Sequence, residues 1–244
     1  MKQPDLFLKM KLVATLLSLA ILPLPAEETE EKQASQNPEI KQLNEHEFQI
    51  GKVRLNRKTR EITFGAGINL IDRPLEYLLV NGKGKVHEAL CISDISPLNL
   101  NIALKLIGFK ESPELFEIVD EDYRPTGKFP VVPDETKKAA RLDIFLEWPV
   151  EGAKKRVKIN ELIFNPIVER PMADGPWLYT GSYLHQGQFK AEVTGDLFAI
   201  HPRQPPMISY PGKDHTGEND WLPDSKKIPE EGTVVTFILK PHQP

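Results

Sequence analysis

The chain has 244 residues, 40% of them hydrophobic and 27% charged, with a formal net charge of −4 and a single cysteine. A mildly acidic surface gains nothing from a polyanion, which makes nucleic acid a poor partner. One cysteine excludes an intramolecular disulfide and any all-cysteine zinc or iron–sulfur site, so the fold must hold by packing.

Lys2, Lys9 and Lys11 precede an apolar run from Leu12 to Leu22, which breaks at Pro23 and Pro25 and ends at the small residue Ala26. This is the pattern of a cleavable secretion signal over residues 1–26, cut after Ala26. The run is too short for about 30 Å of hydrocarbon, which takes about 20 apolar residues as a helix. A signal anchor is the competing reading, because Leu24-Pro25-Ala26 is an imperfect cleavage site; Met10 offers an equally good start. The mature chain is expected in the periplasm or outside the cell, with no further transmembrane segment. Residues 27–46 are acidic and polar and read as a disordered linker, leaving 47–244 as one β-rich domain.

Phe48–Leu55 and Ile62–Phe64 flank the polar stretch Asn56–Arg60 and read as a half-buried hairpin. Leu75–Val80 and Val86–Ile92 flank Asn81-Gly82-Lys83-Gly84, and Asn-Gly supplies the positive-φ positions of a tight hairpin turn. A helix follows over about 97–107. Ser96 caps it, Pro97 fits its first position and Gly108 ends it, while its apolar circumference predicts burial. Glu111–Ala140 reads as a polar loop with a weak strand candidate at Leu115–Val119. Leu142–Trp148 turns at Gly152 toward Arg156–Ile159. Glu161–Val168 is of uncertain type, and strands are expected at Trp177–Leu184, Phe189–Ala191, Asp196–His201 and Thr233–Leu239. The chain holds 22 prolines, nearly twice a usual share of about 5%. Many lie in the C-terminal half, from Pro202 to Pro229, where they exclude long helices. The expected class is α+β: a predominantly antiparallel sheet, one buried helix and long Pro-rich loops.

Three places hold candidate chemistry. His87-Glu88-Ala89-Leu90-Cys91 departs from the zinc-protease H-E-x-x-H motif at its last position. On a strand His87 and Cys91 share a face but stand about 13 Å apart, so they do not bind one metal. The same alternation turns Glu88 inward with Val86, Leu90 and Ile92, and a buried carboxylate needs a partner, a proton or a pocket. Second, Trp177, Tyr179, Gly181, Tyr183 and His185 fall on one strand face. That row is either a binding wall or, the reading preferred here, a face packed on the core; Ser182 lacks the context of a nucleophile elbow. Third, Asp214, His215, Glu218 and Asp220 precede Trp221 in a loop without calcium-site spacing, which reads as solvated surface.

Leu75–Val80 with Lys85–Leu90, the helix Leu98–Gly108, and Trp177–Ser182 with Gly195–Ile200 and Ile228–Val235 together resemble the YdjY-domain family of exported bacterial proteins, over roughly residues 48–240. The resemblance implies no reaction. Some members are described as iron–sulfur proteins through additional cysteines, and Cys91 alone cannot hold a cluster. Positions matching the family pattern are His87, Glu88, Trp177, Gly181 and Ser182. The candidate site is therefore His87, Glu88, Trp177, Tyr179, Ser182, Tyr183 and His185, with no cofactor and no metal implied. Two functions stand: a non-catalytic exported domain binding a protein, an envelope polymer or a small ligand, or a hydrolase using Glu88 with His87, His185 or His201. Convergence of His87, Glu88 and the 177–185 row on one concave surface would mark a common site.

Overall fold

The structure is a computed structural model that describes residues 38–213 and 220–243; the expected signal, most of the expected linker, and Asp214, His215 and Glu218 lie outside them. Its strands are β1 (Ile40–Gln42), β2 (Glu47–Ile50), β3 (Val53–Asn56), β4 (Glu61–Ile68), β5 (Tyr77–Val80), β6 (Ala89–Ile92), β7 (Arg141–Val150), β8 (Ala153–Lys158) and β9 (Ile163–Asn165). They continue with β10 (Arg170–Pro171), β11 (Trp177–Tyr179), β12 (Leu184–His185), β13 (Gln188–Phe189), β14 (Asp196–Ala199), β15 (Ile208–Ser209), β16 (Leu222–Pro223) and β17 (Val234–Pro241). The helices are α1 (Pro97–Leu106), α2 (Asp134–Ala139) and α3 (Lys190–Thr194).

Eight strands close on themselves in the order β4-β17-β7-β11-β15-β14-β5-β6, with β6 pairing back to β4. β14–β15 and β5–β6 are parallel; the remaining neighbours in the ring are antiparallel. The chain is β-rich with few helices and most of its pairings are antiparallel, as its patterning implies, but eight of the strands close into a mixed barrel that includes two parallel pairs. Alternation along a strand is the same in a barrel as in an open sheet; closure depends on β4 finding both β6 and the C-terminal β17. Strands β1–β3 extend the wall beyond β4, and β8 folds back on β7. Ile40–Gln42, inside the segment expected to be a disordered linker, is strand β1 and pairs with β2.

One continuous core draws on all eight barrel strands. β17 and β14 lie opposite each other in the ring, yet the Phe237 and Phe198 rings are 6.0 Å apart, edge to face, and Phe237 stacks on Phe64 at 5.2 Å. Rings from opposite walls that touch leave no lumen at that level, as expected for eight strands. Cys91 is fully buried, and burial pushes its thiol far above the ordinary range.

Helix α1 follows its sequence signals. Ser96 Oγ accepts from Asn99 N (3.2 Å), Pro97 opens the first turn, and Gly108 takes φ +95°. The helix also has a distant cap: Glu192 of α3 accepts from Leu98 N (3.0 Å) and from Ser96 Oγ (2.7 Å). Leu100, Ala103 and Leu104 enter the core, while Leu98 and Leu106 remain exposed.

The hairpin expected at Asn81-Gly82 is a correction. β5 and β6 are parallel, with Tyr77 opposite Ala89 and Val80 opposite Ile92. Neither Asn81 nor Gly82 has a positive φ, so the tight hairpin turn does not form. Asn81 N instead donates to Gly195 O (2.8 Å), and the would-be Cβ of Gly84 lies 2.7 Å from that same carbonyl. The glycine-rich stretch docks against the start of β14, and the chain returns to begin β6 beside the start of β5. Val86–Glu88, expected on a strand, forms one 3-10 turn in this return. The 177–184 strand also stops early, at Tyr179, because Gly181 (φ +87°) and Ser182 (φ +60°) turn the chain out. Phe189–Ala191 divides between β13 and α3, and α2 lies in the stretch expected to be loop.

Candidate functional site

Two parallel strand pairs need two crossovers, residues 81–88 and 200–207, and with the interior filled both run over the outside of the barrel. They meet at Tyr77. Arg203 Nη1, from the second crossover, donates to Glu76 Oε2 (2.5 Å) and to the Tyr77 hydroxyl (3.2 Å). Its guanidinium lies 5.2 Å from the centre of the Tyr77 ring. Lys85, from the first crossover, stands 5.6 Å from the same ring, 3.9 Å from Glu76 and 3.6 Å from Glu88 Oε2. Asp196 Oδ1 accepts from Lys85 N at 3.2 Å. The result is a cluster of three carboxylates and two cations around one aromatic ring.

The carboxyl groups are not equivalent. Burial raises the Glu76 value, but the hydrogen bond and charge of Arg203, with Lys85, outweigh it and hold Glu76 below the ordinary range. Burial dominates at Asp196 and lifts it above its ordinary value despite Lys85 and Arg203. Glu88 Oε2 is buried and has no hydrogen-bond partner, while Oε1 lies 3.4 Å from the exposed His87 Nε2. The inward carboxylate read from alternation is thus half-buried beside Lys85, on a turn rather than a strand face. His87 points to solvent.

A depressed Glu76 value means that its stabilisation is complete above its unfolded value, near 4.5, and disappears as the pH falls through the lower folded value. Glu76→Gln is expected to cost about 1.5–3 kcal/mol at neutral pH, the scale of a charge-assisted hydrogen bond. Urea unfolding of wild type and variant at pH 7 and well below pH 4.5 checks this: the gap should close in acid, and a pH-independent gap would refute the assignment.

The second sequence candidate splits. Trp177 and Tyr179 are fully buried. Trp177 Nε1 donates to Asn160 Oδ1 (3.1 Å), and the Tyr179 hydroxyl donates to Asn101 Oδ1 on α1 and lies 3.1 Å from Glu111. Burial pushes the Tyr179 phenol well above its ordinary value, with Glu111 adding to the rise. These two side chains pack the core, as the preferred reading had it. Ser182 Oγ accepts from Ala191 N (3.2 Å). Tyr183 and His185 are exposed, His185 in the β12–β13 ribbon. In the ring β15 and β14 separate β11 from β5, which puts roughly 14 Å of wall between the two groups. His87 and Glu88 do not converge with the 177–185 row. Of the third candidate, Asp220 and Trp221 are buried rather than solvated.

Sequence reading missed Glu76, Lys85, Asp196 and Arg203. The signal was available for two of them: Glu76 inside Leu75–Val80 and Asp196 beside Leu197 are carboxylates set in apolar runs, the same mark that singled out Glu88.

A second surface feature is a finger between α1 and α2. Ile118 N donates to Lys128 O (2.8 Å), Thr126 N to Ile118 O (3.0 Å) and Asp120 N to Arg124 O (3.0 Å), while Asp120 Oδ1 accepts from Asp122 N and Arg124 N at the tip. Ile118, Val119, Tyr123, Phe129 and Val131 are all exposed, Tyr123 at 86% and Val131 completely. Among the described residues no group of three or more His, Cys, Asp or Glu is placed to hold a metal ion, and no helix is long and apolar enough to cross a membrane.

A family model described as the YdjY domain matches residues 53–240. Neither the curated proteins nor the solved structures include a match to this chain.

Proposed function

This chain belongs to the YdjY-domain family, and from that premise we propose an exported, non-catalytic domain that binds a protein partner through the finger Ile118–Val131. One observation carries the reading: five large apolar side chains stand in water on a segment held in shape by its own backbone hydrogen bonds. Covering even one such side chain is worth about 1.5–3 kcal/mol, and several of them exposed on one ordered segment make it the candidate interaction surface. Tyr123 at the tip is an anchor with few torsions to immobilise. The finger carries Glu117, Asp120, Glu121 and Asp122 beside Arg124 and Lys128, with Arg124 paired to Asp122 at 3.4 Å, so it has a small acidic excess around its apolar side chains. The basic, apolar and small-residue pattern of residues 1–26 supports export.

A photo-crosslinking residue placed at Val131 in the full chain, expressed in its native host, tests this. A discrete crosslinked product is expected, reduced at least ten-fold by Tyr123→Ser combined with Phe129→Ser in a protein of unchanged thermal midpoint. Crosslinking unaffected by that pair would refute the finger as the binding element. The acid–base reading keeps one observation in its favour: Glu88 Oε1 lies 3.4 Å from His87 Nε2, while its buried Oε2 makes no hydrogen bond and has only the Lys85 ammonium, 3.6 Å away, beside it. Turnover of a hydrolase substrate lost in Glu88→Gln, with the fold intact, would favour it over the non-catalytic role.

A further inference from the structure

Ile62, Leu239 and Ile144 stand opposite one another on β4, β17 and β7 and are buried in the core. Strand alternation therefore turns their neighbours Glu61, Lys240 and Asp143 to the outer wall. There Arg60, Asp143, Phe145, Lys240, Pro241 and His242 line a cavity of about 410 Å³. Most of its charges are matched internally. The Lys240 ammonium pairs with Glu61, and the Lys158 ammonium lies 2.8 Å from Asp143 and 2.6 Å from Asp174. His242 Nδ1 is 3.1 Å from both oxygens of Asp143, and an ionised carboxylate only accepts, so Nδ1 carries a proton. The backbone of His242 is held as well, by its N–H to the Arg141 carbonyl (3.1 Å). Nε2 is left as the unbonded nitrogen of a fixed ring among the described residues.

Arg60 is the unmatched charge. Its Nε donates to the Ile107 carbonyl at the end of α1 (3.2 Å), which fixes the guanidinium through one of five N–H groups. Among the described residues no carboxylate pairs with it. Its backbone takes φ +57°, a conformation that residues with a side chain adopt at a cost and glycine adopts freely. A lone carbonyl needs no planar fork; a carboxylate matches one. We propose that this cavity binds a small free monocarboxylic acid. Its carboxylate sits on the Nη groups of Arg60, with His242 Nε2 donating when the ring holds both protons, and its short aliphatic body lies against Phe145 and Pro241. Asp143 on the same lining opposes a second negative charge, which disfavours phosphate. A peptide carboxylate would bring a chain with it, and β4, β17 and β7 are each paired on both sides, so no strand edge is open to that chain. The volume lies within the range of small-molecule sites. The site is separate from the finger and stands or falls independently of it.

Titrating the isotopically labelled full chain with sodium butanoate at constant ionic strength, followed by NMR of the Arg60 Nε–H and the His242 ring, tests the proposal. Saturable shifts are expected at both residues. Butanamide, which has the same body without the charge, should bind at least about ten-fold more weakly, the scale of a lost charge-assisted hydrogen bond. Arg60→Gly suits the left-handed backbone and should fold while weakening butanoate at least about ten-fold. Arg60→Lys keeps the charge and loses the fork, and it should also bind more weakly than wild type. Butanoate binding unchanged in both variants, or no shift at Arg60 and His242 at millimolar butanoate, would overturn the proposal. Inorganic phosphate binding as tightly as butanoate would reduce the site to a general anion patch and overturn it too. Ten-fold tighter binding of N-acetylglycylvaline would move the ligand to a peptide end and overturn the free acid.

Discussion

Phe237→Ala is expected to destabilise the domain by about 3–5 kcal/mol, the range for removing a fully buried aromatic side chain. That is a large fraction of the 5–15 kcal/mol by which domains are ordinarily stable. Phe237 stacks on Phe64 from the neighbouring strand and meets Phe198 from the opposite wall, so its loss opens a void where walls facing each other touch. The barrel strands are locked into a ring and cannot collapse toward the gap as freely as an open sheet could, which places the cost toward the upper end. Chemical denaturation should give a lower midpoint with an unchanged slope. A loss under 1 kcal/mol would mean that the aromatic contacts do not fill the barrel.

Gly195→Ala is expected to destabilise by about 3 kcal/mol or more, although it adds one methyl group. Two effects combine there: the left-handed backbone, at φ +79°, costs a side-chain-bearing residue about 1–2 kcal/mol, and overpacking adds about 1–3 kcal/mol. The new Cβ would sit 2.1 Å from Asn81 Oδ1 and 2.6 Å from Gly84 N; the second contact is backbone and cannot rotate away. Because the 81–88 crossover docks at this point, Lys85 should lose its place beside Glu76 and Glu88. The acid-sensitive stabilisation from Glu76 should shrink in the same variant. Gly232→Ala is the control: it has a similar φ, +83°, but open space around it, so it should incur the backbone cost alone.

The parts of the fold legible in the sequence are those decided by near neighbours. Ser96, Pro97 and Gly108 delimit α1 within a residue, and Gly152 turns β7 into β8 as expected. Barrel closure was not legible, since the pairings of β4 with β6 and with β17 leave no local mark. Asn81-Gly82 was misread because the dipeptide permits a hairpin turn without compelling one; Gly195, more than a hundred residues away, decided the conformation. In the candidate site Glu88 is legible as a carboxylate set in an apolar run, and Glu76 and Asp196 carry the same mark. Arg203 had no local signal, as its partners come from another strand and another crossover. The finger escaped because its polar and charged residues masked apolar side chains that the fold leaves uncovered.

The last strand of the chain occupies an interior place in the ring. β17 lies between β4 and β7, so a chain without Val234–Pro241 in place has two unpaired edges and an open wall, however well the rest is arranged. Contacts this distant in sequence slow folding, and the barrel cannot shut until β17 has paired with both β4 and β7. Until Val234–Pro241 is paired on both sides, the β4 and β7 edges stay bare and the wall stays open.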